Sequence, residues 1–166
     1  VQHPEILERI QRSYVDAGSD IIYANTFGAN AHKLEGTGHT TEELVAANVA
    51  IAKKAADGRA RVALDVGPIG ELMEPLGTLA FDEAYEIYAQ MVRAGEQAGA
   101  DLVIFETMTD LYEVKAAVLA AREQSNLPIW VTMSFEATGR TFTGTTVASM
   151  AATLEGLDVA AMGINC

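Results

Sequence analysis

The sequence predicts an α/β fold, and three observations lead there. Stretches with helical spacing of apolar residues alternate with short β-branched, apolar runs along the whole 166 residues. The five short runs are apolar on both faces, which marks a parallel sheet covered by helices rather than a half-exposed antiparallel one. With 49% apolar residues, four prolines and no long polar tract, the composition is that of one ordered domain able to bury a core.

Ile6, Ile10 and Tyr14 recur at helical spacing and predict a first helix, and residues 20–26 follow as a buried strand. Thr40 with Glu43 has the form of a capping box that starts a second helix, with Leu44, Ala47 and Ile51 as its expected buried stripe. Residues 61–66 read as the second strand. The third helix is the most periodic: Phe81, Tyr85, Tyr88 and Val92 recur on one face, widened by Ala84, Ile87, Met91, Ala94 and Ala98. Gly95 weakens that helix without ending it, and Gly99 suits its stop. Residues 102–106 form the third strand, after which Asp110 with Glu113 is set to cap a helix carrying Leu111, Val114, Val118 and Ala121. Residues 128–135 give a fourth strand, 147–154 a helix stopped near Gly156, and 159–165 the last strand.

Periodicity alone leaves two architectures open. One is a small doubly wound open sheet; the other is part of a (β/α)8 barrel, which takes ~250 residues when complete. A chain that starts on a helix and ends on a strand with no helix to cover it favours a barrel fragment.

The net charge of −12 and the scattering of the basic residues exclude a phosphate-binding surface, so nucleic acid is not an expected partner. No apolar run approaches the ~18–20 residues that span a bilayer, and residues 1–6 lack a secretory pattern. A cytoplasmic protein without membrane contact is expected. Cys166 is the sole cysteine, so no intramolecular disulfide forms. Walker A, dinucleotide and paired-histidine zinc motifs are absent, and His3, His32 and His39 lack metal-ligand spacing and read as surface residues.

Ligands of parallel α/β folds bind at the carboxyl ends of the strands. Here those ends are residues 25–30, 65–70, 105–110, 134–136 and 165–166, each turning abruptly from apolar to polar. The Asn25 to Asn30 segment reads either as a plain turn or as an anion cradle of backbone N–H groups around Gly28. Glu106 follows four apolar residues, so its carboxylate needs a partner, either a structural one or a substrate ammonium. Asp65 carries a weaker signal, and Asp110 reads first as a helix cap. Cys166 alone reads as readily as a small buried hydrophobe as a reactive thiol.

Taken together, five segments resemble the homocysteine S-methyltransferase family: DIIYANTFGAN at 20–30, DVGPIGE at 65–71, FET at 105–107, GRTFTGT at 139–145 and GINC at 163–166. Their order and spacing are most similar to the amino-terminal domain of cobalamin-dependent methionine synthases, a likeness carried also by residues 65–77 and 111–122. The resemblance implies a partial (β/α)8 TIM barrel in which this chain supplies strands two to six. It implies homocysteine as substrate and zinc held by three cysteine thiolates, with Cys166 as the first ligand and as the catalytic cysteine. Glu106 would take the homocysteine ammonium, the backbone at Thr26, Phe27 and Gly28 its carboxylate, and Asn165 would stand beside the metal.

The same resemblance places before this chain an Asp-Gly motif that helps hold the substrate amino group, and after it the other two zinc ligands. The chain alone is therefore expected to be inactive. Methylcobalamin and methyltetrahydrofolate would be carried by other domains of a longer polypeptide. Two other readings stay open: a related transferase using S-methylmethionine or a betaine as donor, and a non-catalytic fragment that associates with itself through open barrel edges.

Overall fold

A computed structural model describes residues 3–166; Val1 and Gln2, at the head of the segment searched for a secretory pattern, lie outside the described residues. The elements follow the predicted alternation: α1 (Pro4–Asp16), β1 (Ile21–Tyr23), α2 (Ala31–Leu34), α3 (Thr41–Ala56), β2 (Arg61–Val66), α4 (Phe81–Gln97), β3 (Leu102–Met108), α5 (Leu111–Gln124), β4 (Ile129–Met133), α6 (Val147–Gly156) and β5 (Ala161–Ile164). The single-turn α2 is too short to leave a period in the sequence; Asn30 caps it by accepting from the Lys33 N–H at 2.9 Å.

The five strands are parallel and lie in the order β1-β2-β3-β4-β5. Sequential order decides between the two architectures. A doubly wound sheet reverses its strand order at a switch point, whereas a singly wound one advances steadily and keeps its helices on one face. Ile22, Val62, Leu64, Val66, Val103, Phe105, Val131 and Met133 pack against the helices in one large core. Ala63, Leu102 and Ile104, with Ile21 and Trp130, cluster separately on the opposite face. That second cluster is the interior of a barrel wall, and the wall is open: β1 and β5 each have one strand neighbour.

Local signals place several elements as expected. Thr40 Oγ1 accepts from the Glu43 N–H at 3.2 Å while Glu43 accepts from the Thr40 N–H at 3.3 Å, completing the capping box on α3. Gly95 in α4 answers a packing need, because a Cβ there would stand 2.5 Å from Leu64 Cδ2. Other expectations are corrected. The buried stripe of α3 is Val45, Val49, Ala52 and Ala56; Leu44 and Ile51 are half-buried and Ala47 is exposed. A helix with alanine and valine on nearly every side has no unique apolar face, and packing selects one. In α1 the stripe of Ile6, Ile10 and Tyr14 is 44%, 49% and 60% exposed, while Gln11 and Val15 turn inward. Asp110 caps α5 through the Tyr112 N–H at 2.9 Å, but Glu113 does not reach back to it. Its Oε1 instead accepts from the Ile69 N–H and the Tyr88 O–H, both at 2.7 Å.

Candidate active site

The carboxyl ends of β1 and β2 are fastened to each other. Thr26 is buried, and its Oγ1 donates to the Asp65 carbonyl at 2.7 Å and accepts from the Asp65 N–H at 3.1 Å. The Gly67 N–H donates to the Phe27 carbonyl at 3.0 Å. The Phe27 ring lies so close over Gly67 that a Cβ there would be 2.5 Å from it, which is why the position holds glycine. Lys33 closes the seam, its Nζ donating to the Pro68 carbonyl at 2.7 Å and standing 5.5 Å from the Phe27 ring centroid. The Thr26 N–H is spent on the Ala24 carbonyl at 2.9 Å, so it is not a free donor for a ligand. Among the described residues nothing accepts from the Phe27 and Gly28 N–H groups.

Beside this seam stand two carboxylates. Register sets Asp65 opposite Ile104, on the interior face, with Glu106 two residues further along β3. Asp65 is 8% exposed, and its Oδ1 is buried without a partner. Burial lifts its carboxyl to about 7, the charge of Glu106 contributing second. Burial, then the charges of Glu106 and Asp65, also push the Tyr23 phenol up. With Tyr23, Ala24 and Asn25, Asp65 lines one end of a cavity of about 380 Å³ that runs under α1.

The third group gathers at the ends of β3, β4 and β5. The β3–β4 register shifts between Phe105 and Met108, and Thr107 sits in that irregularity with φ of 59°, a left-handed conformation unusual for a β-branched residue. The Thr107 N–H donates to Thr132 Oγ1 at 3.2 Å, and its hydroxyl accepts from Asn165 Nδ2 at 2.7 Å. Cys166 Sγ lies 3.6 Å from the same Asn165 nitrogen and 4.0 Å from Thr107 Oγ1.

The sequence candidates thus fall into place unequally. Glu106 and Asp65 share the interior face; Asn165 and Cys166 are neighbours held through Thr107; Asp110 serves as a cap. His3 and His39 are exposed, and His32 faces Glu71 at 3.2 Å. Sequence reasoning missed Tyr23 and Thr107. Strand alternation could have turned Tyr23 to the interior with Ile21, but nothing local announces a left-handed threonine. Among the described residues no three His, Cys, Asp or Glu side chains converge on a point, so this chain's own residues do not make up a zinc centre, and Cys166 offers one thiol. Nor is any helix among them long and apolar enough to cross a membrane.

The family model for homocysteine S-methyltransferase matches residues 1–166. The chain belongs to the homocysteine S-methyltransferase family. It is 31% identical to methionine synthases of Mycobacterium leprae and Mycobacterium tuberculosis across 98% of its own length, and it spans only 14% and 15% of theirs. It superposes on the homocysteine methyltransferase MmuM from Escherichia coli with a TM-score of 0.90 in the oxidized form, at 23% identity, covering all of this chain and 63% of that one. The metallated form gives the same TM-score at 22% identity. The homocysteine S-methyltransferase barrel is therefore the frame into which the open five-stranded sheet fits.

Proposed function

We propose that this chain is the homocysteine-binding part of a methyltransferase that forms methionine. One observation carries the reading: unpaired N–H groups, acidic side chains and a thiol, the complements of an amino acid and of a metal, all lie at the carboxyl ends of strands of one parallel sheet. Glu106 takes the substrate ammonium. The Phe27 and Gly28 N–H groups take the carboxylate, with Thr26 fixing their loop to β2 through Asp65. The substrate side chain then runs towards Asn165 and Cys166, and Thr107 and Asn165 hold the Cys166 sulfur in place.

Zinc bound by thiolates supplies a position at which a substrate sulfur is held as thiolate at neutral pH. This chain contributes one such ligand, Cys166, and further thiolates have to come from outside its 166 residues. In the reaction the homocysteine sulfur forms the new bond to the methyl carbon, and the donor keeps the electron pair of the bond that breaks. The resemblance of residues 65–77 and 111–122 to cobalamin-dependent methionine synthases supports methylcobalamin, recharged from methyltetrahydrofolate on other domains, as that donor.

A second reading is favoured by the lack of converging metal ligands among the described residues: a scaffold fragment without catalysis of its own. Elemental analysis of the chain purified under reducing conditions separates the two. About one zinc per chain, lost in Cys166→Ser, is the result expected if association supplies the other thiolates. Zinc-free protein would leave the scaffold reading in its place.

A further inference from the structure

Asp65 does nothing for the fold that its backbone does not already do. Thr26 grips its N–H and its carbonyl, and the strand pairs on both sides, yet the side chain is enclosed and its Oδ1 has no hydrogen-bond partner. A buried carboxylate in that state destabilises a protein, whereas an apolar side chain would suit the interior face that Ala63, Leu102 and Ile104 share. Glu106 crowds the same region strongly enough to oppose ionisation of Asp65, and Tyr23 feels both charges. Neither carboxylate forms an ion pair among the described residues. The lysine on the adjoining loop, Lys33, is turned away onto the Pro68 carbonyl. Asp65 therefore lines the cavity beside β1, Glu106 stands near it on the adjoining strand, and among the described residues neither has a cation.

We propose that Asp65 is a specificity-determining residue, forming with Glu106 a two-carboxylate subsite whose missing partner is the primary ammonium of the substrate. The proposal rests on the homocysteine reading, in which Glu106 is the residue of this chain assigned to the ammonium. An ammonium has three N–H donors, and one carboxylate leaves two of them to be satisfied elsewhere. The unpartnered Oδ1 of Asp65 accepts one. A thiol without the amine would leave the buried Asp65 and the half-buried Glu106 unpaired, and a site built around a hydrogen-bonding group rejects the analogue lacking it far more strongly than it rejects a change in apolar bulk.

Calorimetric titration of the full chain under reducing conditions tests this, with L-homocysteine and its amine-free counterpart 4-sulfanylbutanoate as probes. Asp65→Asn and Glu106→Gln are each expected to weaken homocysteine binding by about tenfold or more and to leave 4-sulfanylbutanoate within about twofold of the parent. If Glu106→Gln weakens homocysteine binding and Asp65→Asn does not, the role of Asp65 is overturned and the homocysteine reading survives. If the parent binds neither probe, or binds both equally, the two fall together. Near-UV circular dichroism verifies folding of each variant, and Asp65→Ser replaces Asp65→Asn if the latter is not folded.

Discussion

Burial lifts the Asp65 carboxyl from its ordinary range to about 7, and the nearby Glu106 charge adds to the lift. In the unfolded chain the same group releases its proton near the usual carboxylate value. Between about pH 4 and pH 7 the folded chain therefore holds a proton that the unfolded chain has given up, so stability falls as pH rises through that window and stays low above it. The full effect is on the order of 4 kcal/mol. Asp65→Asn is expected to melt above the parent at about pH 8, with the gap closing towards about pH 4. A gap that widens on acidification would count against the assignment. Legibility at this scale depended on neighbours in sequence. Cys166, Asn165 and Glu106 stood out as candidates, whereas Asp65 carried a weaker signal because its burial comes from neighbouring strands, and the conformation of Thr107 had no local signature, its φ of 59° falling in the β3–β4 irregularity.

Among the elements, α5 carries more than its apolar stripe. Glu113 in its first turn reaches the loop after β2, accepting from the Ile69 N–H and the Tyr88 O–H, and burial raises its carboxyl against the opposing pull of those two bonds. Glu113→Ala strands two buried donors and should destabilise the chain by about 3 kcal/mol in urea unfolding. Exchange of the Ile69 amide hydrogen should rise more than that of amides in β2. Glu113→Gln, which keeps a carbonyl oxygen for the same donors, should lie closer to the parent. If Glu113→Ala unfolds like the parent, the bonds contribute nothing net. The Thr40–Glu43 box was legible because its partners are three residues apart, while the partners of Glu113 lie in β2's loop and in α4 and leave no mark beside it. The α3 stripe failed for a related reason: an alanine-rich helix takes its orientation from what it packs against.

At the scale of the molecule, the α/β class was legible from alternation and the direction of the strands from their two-sided apolarity. The winding was not, because period carries no information about which strand lies beside which; the order β1-β2-β3-β4-β5 supplies it. That order leaves two bare edges. Beside β1 stand the exposed Ile6, Ile10 and Tyr14 of α1, and β5 itself presents Met162 and Ile164. Unpaired strand edges flanked by apolar surface template association. Sedimentation of the chain at ~100 µM should give a dimer or larger species that dissociates on dilution. A monodisperse monomer at that concentration would show that the edges are protected by other means.

The seam between the first two strand ends reaches further than its three contacts suggest. Thr26 with Asp65, Phe27 with Gly67 and Lys33 with Pro68 make one rigid block of the amides on one side and the acid on the other. On the proposed reading, an amino acid seated there would have its α-carbon gauged as by a caliper, with jaws set before it arrives. Its sulfur would then be offered to a different part of the rim, beyond the end of β5. Those jaws would grip only what every α-amino acid carries, so a preference among side chains would have to arise elsewhere on the rim, where Asn165 and Cys166 stand.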